Sequence, residues 1–254
     1  KLFQEVTAID FKHKENNYND FKREVMLPHM LSTLGPKLAV GDVNGDGLED
    51  VFIGGAKGAS AGLFIQTRKG GFIRSDKIDG DSDAASEDMG ALFFDADGDK
   101  DLDLYVISGG NEFEKSDPAL KDRLYINRGK GNFVKSKNCL PDFISSGSVV
   151  KAADYDNDGD QDLFVGGRVL PNEYPYAPNS YLLENNGKGV FKEVTESRAE
   201  GLKNTGMVSD ALWTDFNGDA QPDLMLVGEF MPITLFENQN GVFKNITENV
   251  GFKD

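Results

Sequence analysis

Four times along the chain a run of apolar residues gives way to a nine-residue polar stretch and then resumes. Ala91-Leu92-Phe93-Phe94 leads into residues 95–103, and Leu104-Tyr105-Val106-Ile107 leaves them. Leu38-Ala39-Val40 precedes residues 42–50 and Val51-Phe52-Ile53 follows. Val149-Val150-Lys151-Ala152 precedes residues 154–162 and Leu163-Phe164-Val165 follows. Ala211-Leu212-Trp213 precedes residues 215–223 and Leu224-Met225-Leu226-Val227 follows. Apolar runs this short, bounded by Gly, Asn and Asp, read as strands, here named A before each polar loop and B after it.

A third strand, C, follows a loop of variable length: Leu63-Phe64-Ile65, Leu124-Tyr125-Ile126, Leu182-Leu183 and Leu235-Phe236. A Gly-containing turn then gives strand D, which begins at Phe72, Phe133, Phe191 and Phe243. From the first Leu of strand C to the Phe of strand D the distance is 9, 9, 9 and 8 residues, a constancy that marks a hairpin. Four antiparallel strands in a unit of roughly 55 residues, repeated in tandem, is the arithmetic of a propeller blade. A sandwich would not require the same loop at the same place in every unit. The predicted fold is therefore all-β, a single region over 1–254 with four blades at about 37–75, 90–136, 149–195 and 210–247. Phe94 and Trp213, on strand A, are expected to pack blade against blade.

The N-terminal part departs from this rhythm. Residues 3–7 repeat the strand D pattern, so the chain has five D-type segments for four A–B loops. The extra one predicts an arc of a larger propeller, its remaining blades belonging to the same longer chain; the alternative is a compact four-bladed closure with residues 1–36 plugging or capping it. From Phe3 to Asp42 is 39 residues, whereas the equivalent distances later are 23, 21 and 24, which leaves about sixteen inserted residues. Residues 10–37 show no period, and Pro28 and Pro36 argue against one continuous helix. The insert is expected to be a covering or functional loop, with His29 a loop or packing residue within it rather than a metal ligand.

The polar loops carry the candidate chemistry. Positions 1, 3, 5 and 9 are Asp42, Asn44, Asp46 and Asp50 in loop 1 and Asp95, Asp97, Asp99 and Asp103 in loop 2. They are Asp154, Asp156, Asp158 and Asp162 in loop 3 and Asp215, Asn217, Asp219 and Asp223 in loop 4. Calcium takes six to eight oxygen ligands, and a short loop of carboxylates and carbonyls supplies them. One such loop would be an ordinary turn; four, each running into an apolar strand, predict up to four Ca²⁺ sites. Leu48, at position 7 of loop 1, has no side-chain donor, so that position can contribute only its carbonyl oxygen. An EF-hand would need a Glu at position 12 and flanking helices, and neither is present.

Composition adjusts the picture. The formal charge is −16, from 43 acidic and 27 basic residues. Fourteen of those carboxylates stand at the loop positions, so four bound Ca²⁺ would halve the net charge. No basic stripe favours nucleic acid. Cys139 is the single cysteine, expected as a small buried or half-buried apolar group, with only His13 and His29 as imidazole partners for a thiol. The apolar runs are too short to span a membrane as helices. The chain begins at Lys1 and is expected to be a processed piece of a longer protein.

The loops, with endings such as Ile53-Gly54-Gly55-Ala56 and Val165-Gly166-Gly167, resemble the FG-GAP or VCBS repeats, the propeller repeats of integrin α subunits and of many secreted bacterial proteins. The resemblance covers residues 37–247, and Arg168-Val169-Leu170-Pro171 and Gly228-Glu229-Phe230-Met231-Pro232-Ile233 are similar to bacterial surface versions. It implies Ca²⁺ held between strands A and B by the side chains at positions 1, 3, 5 and 9. The main-chain carbonyl of position 7 would join them: Leu48, Asp101, Asp160 and Gln221. Position 6 departs from the pattern, being Gly47 and Gly159 in two loops but Lys100 and Ala220 in the others. If that position needs a left-handed backbone, Lys100 and Ala220 carry strain. The family also implies an extracellular or cell-surface, non-enzymatic module that binds protein or glycan through its blade loops, with calcium structural. The alternative is a carbohydrate-active lyase or hydrolase on a propeller scaffold, for which no nucleophile–His–acid set is visible. The expected recognition loops are residues 109–122 and 167–179, the second carrying Leu170, Tyr174, Pro175 and Tyr176.

Overall fold

Each A strand pairs antiparallel with the B strand that follows it, and each sheet continues in chain order through C to D. These relations come from a computed structural model, which describes residues 9–78 and 81–251, with the backbone alone at residue 81. The extra D-type segment expected at residues 3–7 lies outside the described residues.

The first sheet holds β1 (Leu38–Gly41), β2 (Asp50–Ile53), β3 (Gly62–Gln66) and β4 (Phe72–Ser75). The second holds β5 (Asp88–Phe94), β6 (Asp103–Ser108), β7 (Arg123–Asn127) and β8 (Phe133–Lys135). The third holds β9 (Ser146–Ala153), β10 (Asp162–Val169), β11 (Tyr181–Glu184) and β12 (Lys192–Glu193). The fourth holds β13 (Met207–Thr214), β14 (Asp223–Glu229), β15 (Thr234–Asn238) and β16 (Phe243–Asn245). Every pairing is antiparallel, as in Val40 opposite Val51 and Phe93 opposite Leu104. The all-β, blade-like architecture read from the sequence is borne out: four four-stranded sheets stand side by side in series, without closing into a ring.

Packing between sheets explains why the strands lack alternation. A sheet covered on both faces needs apolar residues at successive positions. β6 and β10 are accordingly buried along their whole length. Between the first and second sheets Ala39, Phe52 and Leu63 meet Leu104, Val106 and Tyr125. Between the second and third, Phe94, Tyr105 and Ile107 meet Val150, Leu163 and Leu183. Between the third and fourth, Val149, Phe164 and Leu182 meet Val208, Ala211, Leu224 and Phe236. Each fully buried Leu or Phe contributes about 1.5–3 kcal/mol over leaving it exposed. Phe94 and Trp213 pack between sheets as expected, and Cys139 is half-buried against the second junction.

The two outermost faces differ. Leu38 and Val40, on the face of the first sheet turned away from the second, are 56% and 54% exposed. Leu212, on the outward face of the fourth, is 56% exposed.

The insert is a cover. Phe11 meets the ring of Phe64 edge-on at 5.7 Å on the first sheet. Farther along, Leu27 and Leu31 bury against Val169 at the end of β10 and Met207 at the start of β13. Arg23 ties the insert to the loop after β6, with Nη2 2.6 Å from Glu114 and Nη1 3.1 Å from the Phe113 carbonyl. These contacts gather at the strand ends away from the acidic loops.

Candidate metal centres

The acidic loops begin with a carboxylate that folds the backbone around itself. Asp42 Oδ1 accepts the N–H groups of Gly45 and Asp46 at 2.8 and 3.1 Å, and its Oδ2 accepts Gly47 N–H at 2.7 Å. Asp215 repeats this with Gly218, Asp219 and Ala220 at 2.7, 3.1 and 2.9 Å. Asp95 accepts from Gly98 and Lys100, and Asp154 from Asp158 and Gly159. Burial pulls the Asp42 carboxyl upward, but the N–H groups of Gly47, Asp46, Gly45 and Asn44 carry it below its ordinary value. The position 5 side chain then accepts the N–H of position 7, as Asp46 does from Leu48 at 2.9 Å and Asp99 from Asp101 at 2.9 Å.

This wrapping requires positive φ at positions 4 and 6. Position 4 is Gly45, Gly98, Asn157 and Gly218, at φ 75°, 79°, 62° and 80°. Position 6 is Gly47, Lys100, Gly159 and Ala220, at φ 85°, 73°, 97° and 66°. Lys100 and Ala220 therefore occupy the left-handed region, where a side chain is strained.

Position 9 has a second task. Asp50, Asp103, Asp162 and Asp223 are all buried. One oxygen of each accepts a main-chain N–H from the end of strand C: Gln66 at 2.9 Å, Asn127 at 2.8 Å, Asn185 at 2.8 Å and Asn238 at 2.7 Å. The other accepts the position 2 N–H in three loops, from Val43, Ala96 and Phe216 at 3.1, 2.8 and 3.2 Å. The aspartate thus ties loop, strand B and strand C together. Burial, with the loop carboxylates adding to it, pushes Asp103 up to about 7 and Asp162 up to about 8.

Reading residues for ligand chemistry alone missed a residue at the end of strand C. Asn127 Nδ2 donates to the Val43 carbonyl in the preceding loop at 2.8 Å and to Leu102 of its own loop at 3.2 Å. Asn185 does the same to Ala96 and Gln161 at 2.9 and 3.1 Å. Asn238 does it to Tyr155 and Pro222 at 2.7 and 3.1 Å. Each is a staple between neighbouring loops. The signal was present as an Asn three residues after the first Leu of strand C, or at the same register, with Gln66 in its place in the first sheet.

The donor set suits a cation. One oxygen from each of Asp95, Asp97 and Asp99 lies within 4.8 Å of the others, and so do those of Asp154, Asp156 and Asp162. Asp97 Oδ1, Asp156 Oδ1, Asp160 Oδ1 and Asp162 Oδ2 are shut off from solvent without a hydrogen-bond donor. Like charges raise Asp160 to about 6, after burial, through Asp158, Asp156 and Asp154. Buried, mutually repelling carboxylate oxygens are what a hard cation would satisfy. Loops 1 and 4 carry Asn44 and Asn217 at position 3, and there Asn217 Nδ2 donates to Asp219 at 3.1 Å. No helix among the described residues is long and apolar enough to cross a membrane.

A family model, the FG-GAP-like repeat, matches residues 42–106 and 108–165. No curated protein matches the chain. The first matched stretch runs from loop 1 through most of β6, and the second continues through loop 3 into β10. With the same loop, staple and sheet recurring beyond the match into residues 215–245, the chain carries FG-GAP-type repeats.

Proposed function

We propose that this chain is a calcium-binding β-propeller module that works outside the cell or at its surface, binding a protein or glycan without catalysis. One observation carries the calcium reading: the same carboxylate-lined turn stands between strands A and B of every sheet, with orphaned acidic oxygens gathered in loops 2 and 3. Positions 1, 3 and 5 and the carbonyl of position 7 would hold the ion, and position 9 would join strand C to it. A bound cation contributes charge compensation. The chain's own residues fix the loop, and binding to the folded state alone adds stability by mass action.

The expected binding face is formed by the loops after strand B. In the first of these, residues 109–113 are buried beneath the insert, so its exposed part begins at Glu114. In the second, Tyr174 is a covering residue: it packs on the Leu27 and Leu31 cluster and meets Phe230 edge-on at 5.7 Å. Tyr176, 70% exposed, is the free ring. Exposed aromatic rings are favoured anchors in interfaces.

Metal analysis of protein dialysed against micromolar calcium is expected to give at least four Ca²⁺ per chain, one for each acidic loop. A stoichiometry of zero or one would defeat the calcium reading. A glycan array read with and without EDTA tests recognition. Tyr176→Ser should weaken binding of any captured glycan without lowering Tm, whereas Tyr174→Ser should lower Tm.

A further inference from the structure

A second set of acids lies at the strand ends away from the loops. Asp20, Glu24, Glu87, Asp88 and Glu112 are all buried there. Three of them are fully answered. Asp88 receives Arg123 Nη2 at 2.5 Å and Gly55 N–H at 2.8 Å. Asp20 receives Ser32 Oγ at 2.5 Å and Asn111 Nδ2 at 3.1 Å. Glu24 receives Asn111 Nδ2 at 2.6 Å and Tyr174 N–H at 2.8 Å.

Glu87 and Glu112 are not. They are 1% and 7% exposed, and their carboxyl groups lie within hydrogen-bonding reach of one another. Glu87 Oε2 accepts Lys57 N–H at 3.3 Å, and Glu112 Oε1 accepts Asn16 Nδ2 at 2.8 Å. Glu87 Oε1 and Glu112 Oε2 are sealed from solvent with no donor, and so are Asn16 Oδ1 and Glu15 Oε2. The nearby cations are engaged elsewhere. The Lys57 ammonium sits 3.3 Å from the Glu112 carbonyl oxygen and 4.0 Å from the centre of the Phe113 ring. His13 Nε2 is 2.7 Å from Glu15 Oε1.

Buried polar groups are normally paired, and two facing carboxylates with an unmet oxygen each are among the costliest exceptions. The unmet atoms of Glu87, Glu112, Glu15 and Asn16 are all oxygens, and oxygens are the donor set of a hard cation. We propose that Glu87 and Glu112, with the Asn16 side chain beside them, form a divalent-cation site of the calcium class, separate from the acidic loops. Glu87 precedes β5, Glu112 follows β6, and Glu15 and Asn16 belong to the insert. The ion would pin the cover to the second sheet.

The decisive experiment is a crystal of the full chain soaked with Tb³⁺ and measured at an anomalous edge, which reports this position whatever the occupancy of the loops. A peak between Glu87 and Glu112 is expected. Peaks confined to the acidic loops, with the two carboxyls in direct contact, would overturn the proposal in favour of a shared proton. In solution, the E87Q/E112Q variant should bind one Ca²⁺ fewer than the unaltered chain, with the remaining sites unchanged in affinity. Equal stoichiometry would overturn it. If that variant fails to fold, the soak of the unaltered chain still decides.

Discussion

Asn127 on β7 reaches out of the second sheet and donates its Nδ2 hydrogen to the carbonyl of Val43, at 2.8 Å, in the acidic loop of the first. Val43 in turn buries its side chain in the junction between those sheets. Loop and core are thereby one object: a carbonyl freed by the turn is satisfied by the neighbouring sheet, and the side chain of the same residue fills the space between them. Asn185 with Ala96, and Asn238 with Tyr155, repeat the arrangement.

Removing a staple strands buried carbonyls. Asn185→Ala leaves the Ala96 and Gln161 oxygens without that donor. It is expected to lower stability by about 1–3 kcal/mol, read from urea unfolding. Gln66→Ala, at the same register in the first sheet, should change it by less than about 0.5 kcal/mol.

Relieving the left-handed residues should do the opposite. Lys100→Gly and Ala220→Gly are each expected to raise stability in EDTA by about 0.5–1 kcal/mol, since glycine adopts positive φ without a Cβ penalty. A loss of stability in either variant would show that these side chains contribute more than their backbone strain costs.

Ligand charge should rank the four loops as candidate calcium sites. Loops 2 and 3 have four carboxylates at positions 1, 3, 5 and 9, and loops 1 and 4 have three. The middle pair should bind more tightly. Calorimetry should lose its high-affinity phase in Asp95→Ala and Asp154→Ala and its low-affinity phase in Asp42→Ala and Asp215→Ala. Equal affinities would refute the ranking.

The raised carboxyls set the acid response of the metal-free protein. Asp103 at about 7 and Asp162 at about 8 hold protons that the unfolded chain, with an Asp near 3.9, has released. Their contribution is complete below about pH 4 and is lost as pH rises through about 7 and 8. In EDTA, stability should therefore fall between about pH 5 and about pH 8.5, and that of Asp103→Asn/Asp162→Asn should fall less. Calcium binding at neutral pH should release protons, measurable as a buffer-dependent heat.

The open end faces predict further blades. Val43, Ala96 and Tyr155, at position 2 of the first three loops, are 2%, 0% and 0% exposed, whereas Phe216, their counterpart in the fourth, is 38% exposed. Leu212, Leu38 and Val40 add apolar surface at the two ends. We infer that these faces meet additional blades of a longer chain. Small-angle scattering of the 254-residue chain should give an open arc or its dimer, with binding of a hydrophobic dye. A monomer with the radius of a closed globule and no dye binding would defeat the arc.

The sequence by itself determined the four-strand unit, its order, and the turn between strands A and B. These are local matters: a run of β-formers, a hairpin length, and a loop whose Asp, Asn and Gly spacing requires a particular backbone. Even the strain at Lys100 and Ala220 was legible, because position 6 sits among glycines in the sister loops. Tertiary structure alone decided what lies between units. Position 9 reads as a ligand in the sequence, but only the packed sheet brings the Asn127 and Asn185 N–H groups onto Asp103 and Asp162. The insert reads as aperiodic, because its order comes from contacts far along the chain, such as Asn16 with Glu112 and Glu24 with Tyr174. Glu87 and Glu112 flank two different strands, two acids unremarkable in a chain with so many. Only burial, which removes water as a partner, sets them apart.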